Sequence, residues 1–376
     1  MPVKVGITGG GSAGHVVPAL AVAAELRRLG NHELVYFGRA GSIEERLALQ
    51  AGLRFVALPA AGLRRYRSWR NLLLPFVVIA GIVAAALAVR RERIGVLFCK
   101  GAYVSVPVAI GAWLNRVPFA VHESDDSLGL ANRMLALLAA KVLVSSATTK
   151  VHVPGRRIQP ICTGLPVRDD LVTGKGERFR VRHSLARDRP VLLVFAGSSG
   201  SVRINAAVRN QVEALLANYE IVHVCGPGNL DAGLIGLHGY HQFEYLDEDM
   251  TDALDLADVV IGRAGATTLA ELSALGKPAV LIPLPLSVSR GDQIVNAEIF
   301  ARQHDCVIVP DDEALSDGRT LVGGCAQLAR AVPRSMTAGL GSRNAAALDR
   351  DGRRAARAVA REVVTMARSR HRRAAR

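Results

Sequence analysis

The stretch Val3-Lys4-Val5-Gly6-Ile7-Thr8-Gly9-Gly10-Gly11-Ser12-Ala13-Gly14-His15 decides the architecture. Val3–Thr8 reads as a short apolar strand and residues 9–15 as a glycine loop. Val17 to Leu29 then carries a helix pattern closed by Gly30. Strand, glycine loop and helix in that order open a doubly wound α/β unit. Further strands are predicted at Leu34–Phe37, Val96–Cys99, Phe119–His122 and Lys141–Val144, with helical segments between them. The pattern lapses near residues 163–175 and then restarts. Pro190–Phe195 is an apolar strand, Ala196-Gly197-Ser198-Ser199-Gly200-Ser201 a second glycine loop, and a helix runs to about Leu216. Strands follow at Ile221–Cys225, Val259–Gly262, Ala279–Pro283 and Cys306–Val309. A grammar that opens twice in one chain predicts two Rossmann-like parallel-sheet domains rather than one large sheet. The expected division is an N-terminal domain over 1–165, a second over 166–345, and a basic helix and tail over 346–376.

Composition agrees with two folded cores. The chain has 376 residues, 50% of them hydrophobic and 21% charged, with 36 glycines. This excludes a disordered chain and a coiled coil. Five cysteines, widely spread and without a CxxC pair, argue against a disulfide scaffold or a structural zinc site and suit a reducing compartment. The net charge of +14 predicts an acidic partner: nucleic acid, a phosphorylated ligand or an anionic membrane. Aromatic residues are only 5% of the chain and do not interleave the basic stretches, which disfavours nucleic acid.

Most of the excess charge sits in two places. From Arg343 to the end, eleven arginines stand against Asp349, Asp351 and Glu362, a net +8. Residues 352–366 alternate Arg with Ala and Val at helical spacing. A solvated surface helix and a helix lying on anionic lipid both fit that pattern. The second place is the uncharged run from Leu72 to Val89, preceded by Arg64, Arg65, Arg67 and Arg70 and followed by Arg90, Arg91 and Arg93. Eighteen residues is the lower edge of a membrane span. Pro75 and Gly81 interrupt the run, and a span would separate two strands that belong in one sheet. The expectation is a helix packed on the sheet, either fully buried or with an apolar face that dips into a bilayer surface. No signal peptide is expected, because the chain opens directly into a strand.

Glycine loops between strand and helix turn backbone amides and the positive helix end toward phosphate. The first loop lacks the spacing and the later acidic residue of a dinucleotide fingerprint, and it lacks the lysine of a P-loop. Two such loops in two domains point to an enzyme handling a nucleotide diphosphate. His15, at the helix start, is either a packing residue or a general base kept neutral by the helix end. His122-Glu123-Ser124-Asp125-Asp126 closes another strand, but with no further ligand at metal spacing no metal is assigned. Arg263-Ala264-Gly265-Ala266-Thr267-Thr268 opens a helix carrying Glu271, a carboxylate placed either to take both hydroxyls of a ribose or simply to be solvated.

At these residues the chain resembles the MurG family, the UDP-GlcNAc:lipid I N-acetylglucosaminyltransferases of peptidoglycan synthesis. Gly10-Gly11-Ser12-Ala13-Gly14-His15 is similar to the family's GGTGGH, and Lys100-Gly101-Ala102-Tyr103-Val104-Ser105-Val106-Pro107 to its GGYVSxP. Residues 122–133, HESDDSLGLANR, are similar to HEQNxxxGxxN, and Gly164-Leu165-Pro166-Val167-Arg168 to GNPVR. Gly197-Ser198-Ser199-Gly200 with Asn205 parallels GGSxGA…N. Residues 263–271 parallel RSGAxTxxE, and Asp292-Gln293 with Asn296 the glutamine-containing sugar loop. Four positions depart from the commonest forms: Ala13 for Gly, Asp125 and Leu165 for Asn, and Asp292 for Gln or His.

The resemblance implies a GT-B fold with the active site between two Rossmann-like domains. It implies inverting, metal-independent transfer of GlcNAc from UDP-GlcNAc to the C4 hydroxyl of undecaprenyl-diphosphate-linked MurNAc-pentapeptide, on the cytoplasmic face of a bacterial membrane. It assigns donor binding to Ser12, Ala13, Gly14, Arg168, Ser198, Leu246, Arg263, Ala266, Thr267, Thr268, Leu269, Glu271, Asp292 and Gln293. Tyr103, Asp125 and Asn132 fall on the acceptor side, and His15 and Glu123 are the catalytic candidates, His15 preferred as base. Helix-start amides at Ser198 and Ala266, with Arg168 and Arg263, are expected to absorb the charge that grows on the leaving diphosphate. The expected partners are UDP-GlcNAc, lipid I and an anionic membrane surface, with no cofactor, metal or nucleic acid. The alternatives are a related GT-B enzyme acting on another lipid or a natural product, and a basic surface-binding protein without catalysis.

Overall fold

The computed structural model describes residues 2–61, 74–149, 151, 159–168, 171, 173–311, 318–331 and 353–369. The arginines at 64, 65, 67 and 70, and those at 343, 350 and beyond 369, lie outside the described residues. The chain forms two compact units, Met1–Arg168 with Asp351–Arg376, and Asp169–Arg350.

The first unit runs β1 (Lys4–Thr8), α1 (Ala13–Leu29), β2 (Glu33–Gly38), α2 (Ile43–Gln50), β3 (Arg54–Ala57), α3 (Leu74–Arg91), β4 (Val96–Cys99), α4 (Ser105–Leu114), β5 (Phe119–Glu123), α5 (Leu130–Ala136), β6 (Lys141–Val144) and β7 (Ile161–Cys162). Its seven strands are ordered β3-β2-β1-β4-β5-β6-β7, every pair parallel. Strands covered on both faces need unbroken apolar runs. Accordingly β4 (Val-Leu-Phe-Cys) and β5 are buried throughout.

The second unit repeats the plan with α6 (Gly176–Arg182), β8 (Val191–Phe195), α7 (Val202–Asn210), α8 (Val212–Leu216), β9 (Glu220–Val224), β10 (Tyr240–Phe243), α9 (Met250–Leu256), β11 (Val259–Gly262), α10 (Ala266–Leu275), β12 (Ala279–Leu281), α11 (Asp292–Ala301) and β13 (Cys306–Ile308). Its strand order is β10-β9-β8-β11-β12-β13, again all parallel. Each sheet therefore reverses direction once, between β1 and β4 in the first unit and between β8 and β11 in the second. These reversals are where open α/β sheets hold ligands.

The last described helix, residues 353–369, belongs to the first unit. Ala355, Ala356, Val359, Ala360, Val363, Val364, Met366 and Ala367 form its buried stripe, at the helical three-to-four spacing. Most of them join the core of Val5, Ile7, Val22, Leu26 and Tyr36. Lys141 is ion-paired with Glu362, and Arg357 lies 4.0 Å from the buried Glu25. The helix expected within the basic 346–376 segment thus packs back onto the first unit, which the sequence pattern alone left open. The apolar face that was a candidate for lipid is spent on the core, leaving arginines outward.

Helix α3 behaves oppositely. Gly81, Ala85 and Val89 are its buried residues, whereas Phe76, Ile79, Val83 and Leu87 are 55–70% exposed. The buried stripe is small-residued because α4 approaches closely: a Cβ at Gly111 of α4 would stand 2.7 Å from the Ala86 nitrogen. α3 is long and apolar enough to cross a membrane by length and composition. It nevertheless connects β3 to β4 within one parallel sheet, so a crossing would tear that sheet apart.

Candidate active site

At the first reversal, the loops after β1, β4 and β5 converge. Gly9 and Gly10 are required by close approach: a Cβ at Gly9 would meet Lys100 Cβ at 2.8 Å, and one at Gly10 the Glu44 carboxylate at 2.6 Å. Glu44, fully buried, accepts the Gly11 amide at 3.2 Å, and Tyr36 donates its hydroxyl to the Gly9 carbonyl at 2.5 Å. One loop amide expected to face phosphate is thus already taken by a carboxylate. Ser12 stands at the N-cap of α1 without a side-chain cap bond, so its hydroxyl does not occupy the helix end. Ala13, Gly14 and His15 form the first turn of α1, half-buried.

Burial first, and then the Lys100 charge, lower the His15 pKa from 6.5 to about 4, against the opposing effects of Glu123 and the Lys100 backbone. The ring is therefore neutral at physiological pH and able to accept a proton. Its Nδ1 is enclosed and without a partner among the described residues.

Glu123, at the end of β5, is 5% exposed. Its Oε1 accepts the amides of Ser124 and Asp125 at 2.9 and 3.2 Å, and its Oε2 accepts the Gly129 amide at 2.8 Å and Asn132 Nδ2 at 3.0 Å. A carboxylate with both oxygens so engaged holds a loop in shape. All four of these bonds are to the protein's own loop and to Asn132, so in the resting structure Glu123 shapes the turn beside His15. Asn132 is likewise buried, donating to the His122 carbonyl at 3.1 Å as well as to Glu123. Its Nδ2 braces the sheet edge, while its buried Oδ1 has no hydrogen-bond partner among the described residues. Tyr103 and Asp125 are half-buried at the rim, Tyr103 against Gly11.

At the second reversal the loop after β8 folds tightly onto the end of β9. Gly200 has φ +69° and leaves no room for a Cβ beside the Cys225 carbonyl. Ser198 remains half-buried, while Ser201 caps α7 by accepting the Ile204 amide at 3.4 Å. α10 starts at Ala266 from Gly265, which has no side chain to cap it. The helix carries Thr267 and Thr268 half-buried in the first turn, then Leu269 and Glu271 buried. Gln293 Oε1 accepts the Leu284 amide at 3.1 Å and Asn296 Nδ2 donates to the Ala264 carbonyl at 3.3 Å, tying α11 to the start of α10. Asp292 is ion-paired with Arg290 at 2.8 Å. The Leu246 carbonyl accepts the Asp249 amide at 2.6 Å, and its side chain is buried.

Arg263 differs most from expectation. Its Nη1 lies 2.6 Å from Asp311 and 3.1 Å from the Ile282 carbonyl, and its Nη2 donates to Ser201 at 3.1 Å. The guanidinium joins the loops after β8, β11 and β12 to a buried aspartate, a structural clasp at the position expected to face a diphosphate. Arg168, half-buried, is the last residue of the first unit, whereas Ser198 and α10 belong to the second. Among the described residues no group of three or more His, Cys, Asp or Glu side chains is arranged to hold a metal. Two residues of this site carry no assignment from the sequence: Glu44, whose helix has no motif, and Lys100, which stands one residue before the match to GGYVSxP that begins at Gly101.

Two doubly wound sheets in succession, each gathering glycine loops at its reversal, define the GT-B fold. Solved structures share the fold. The MurG crystal structure from Acinetobacter baumannii superposes with a TM-score of 0.65 at 22% identity, covering 97% of this chain and 100% of that one. The kitacinnamycin glycosyltransferase does so at 0.69 and 16%, covering 97% and 99%. The chain belongs to glycosyltransferase family 28: residues 5–144 match the family's N-terminal domain and residues 191–336 its C-terminal domain. It is 42% identical over 300 residues, 80% of this chain and 84% of the relative, to UDP-N-acetylglucosamine–N-acetylmuramyl-(pentapeptide) pyrophosphoryl-undecaprenol N-acetylglucosamine transferase 2 of Bacillus cereus. A transferase of the same name from Geobacillus thermodenitrificans is 40% identical over 315 residues, 84% of this chain and 88% of that one.

Proposed function

We propose that the protein transfers N-acetylglucosamine, with inversion and without a metal, from UDP-GlcNAc to the C4 hydroxyl of MurNAc in undecaprenyl-diphosphate-linked MurNAc-pentapeptide, giving lipid II. The observation that carries this reading is about 40% identity to transferases of that name over four-fifths of the chain. The fold does not choose the acceptor, because natural-product glycosyltransferases share it equally well.

In this reading the half-buried Ser198, the uncapped start of α10 and Arg168 meet the donor diphosphate, and Glu271 takes the ribose hydroxyls. Gln293 and Asp292 lie on the sugar side and the Leu246 backbone on the uracil side. His15, neutral and at the reacting edge of the first unit, removes the proton of the attacking hydroxyl. Glu123 and Asn132 act one layer back by shaping the turn that carries Asp125. Charge growing on the departing diphosphate is met by fixed backbone dipoles, and losing one such donor costs about 3–4 kcal/mol of barrier.

The same reading places the chain peripherally at the cytoplasmic face of the membrane. Its support is the exposed stripe of α3, with Trp113 and Leu114 of the adjoining α4 also half-exposed and Arg90, Arg91 and Arg93 at the helix end. Incubating radiolabelled UDP-GlcNAc with a soluble lipid I analogue tests the whole. Efficient transfer to other acceptors and none to this one would replace the proposal by its natural-product alternative.

A further inference from the structure

Lys100 is 1% exposed, immediately beyond the last residue of β4. Its amide donates to the Thr8 carbonyl at 2.8 Å, its stem fills the space beside Gly9, and its Nζ donates to Ser124 Oγ. One side chain therefore touches the loops after β1, β4 and β5. Arg263 occupies the matching position in the second unit, immediately beyond β11, and there joins three loops in the same way. The two cations differ in one respect. Arg263 has Asp311 at 2.6 Å, whereas among the described residues the one hydrogen bond of the Lys100 ammonium is to a neutral hydroxyl. An ammonium buried without a carboxylate in contact is costly, and folding alone gives no reason to keep it there.

We propose that Lys100 is a positioning residue for the transfer reaction: its ammonium fixes the Ser124–Asp125 turn and presents one positive charge to the His15 imidazole. The proposal rests on the reading of His15 as the proton acceptor. The charged groups facing His15 are Lys100 from the loop after β4 and Glu123 from β5; those facing Lys100 are Glu123 and Asp125, and His122 of β5 also lies in its field. The Lys100 charge disfavours a positive charge on His15, so the resting ring stays in its neutral form. Burial lowers the Lys100 pKa from 10.5 to about 8, with Glu123 and Asp125 opposing. The clamp thus loses its charge, and with it the charge assistance to its bond with Ser124, as pH rises past about 8.

The test compares wild type, K100R and K100M in the full chain. Wild-type kcat is expected to fall above about pH 8; K100R, which stays charged, should lose that alkaline limb and retain more kcat at pH 7 than K100M. K100M should lower kcat at least about tenfold with donor KM within about twofold, because the reacting geometry rather than ground-state binding is lost. A histidine NMR titration, assigned with H15Q, should show the His15 transition moving upward in K100M. An alkaline limb unchanged in K100R overturns the proposal, as does K100M with wild-type kcat and an unmoved His15 titration. If one variant does not fold, the other decides. The NMR readout needs no turnover, so it decides the Lys100 proposal even if wild type transfers nothing from UDP-GlcNAc, a result that would instead remove the functional reading.

Discussion

Replacing Arg263 by methionine separates the two roles this arginine could have. Its side chain is 11% exposed and that of Asp311 2%. Removal leaves the Asp311 carboxylate with Arg203 at 3.2 Å, a side chain 49% exposed, and leaves Ser201 and the Ile282 carbonyl without their donor. Breaking one side of a buried ion pair costs about 3–5 kcal/mol. The surviving Arg203 contact places R263M near the lower end, about 3 kcal/mol. For a unit the size of Asp169–Arg350 that is a fall in Tm of roughly 6–12 °C. The double variant R263M/D311L removes the uncompensated charge as well and should recover at least half of the loss, a strong non-additivity. Calorimetric melts of the two single variants and the double measure this directly, with UDP titrated into each at low temperature. Wild-type melting in R263M combined with lost UDP affinity would refute the clasp and make the guanidinium a donor ligand after all.

Three further outcomes are expected. Glu271→Ala should weaken UDP-GlcNAc about 10–100-fold by calorimetry, the loss of one or two charge-assisted hydrogen bonds to the ribose, and unchanged affinity would remove that assignment. Phe76→Glu with Leu87→Glu, at positions 70% and 65% exposed, should abolish flotation with anionic vesicles at low salt and leave Tm within about 2 °C; flotation that persists would send the membrane contact elsewhere. Ala102 holds φ +65°, a conformation that costs a non-glycine residue about 1–2 kcal/mol, so Ala102→Gly should raise the Tm of the first unit by a few degrees. A lowered Tm there would mean that the alanine methyl earns more in packing than its backbone strain costs.

The central strands were legible as sequence. β4, β6 and β11 match their expected bounds, because a strand covered on both faces must be a continuous apolar run. The strands that escaped notice, β3, β7 and β10, all lie at sheet edges and are only partly buried. An edge strand has one neighbour and one wet side, so its composition announces it less clearly, although the edge strand β13 was expected from Cys306-Val307-Ile308. The candidate site divides similarly. Glycine loops and the start of α10 were readable because backbone geometry demands particular residue types. The partners of Glu123, Asn132 and Arg263 were not, since a carboxylate or guanidinium looks the same in a motif whether it meets substrate or protein.

What the sequence determined by itself was the class of fold and the family. Two strand–loop–helix openings and a set of ordered motifs suffice, because local backbone demands and apolar periodicity are written residue by residue. Only the tertiary structure decided which charges are already spent. It closed Glu44 against the first glycine loop, gave Arg263 to Asp311, turned the apolar stripe of residues 353–369 into the first core, and left Lys100 buried beside His15. Each of these depends on which distant segment packs against a side chain. Burial converts the same charged residue from a solvated group into a clamp.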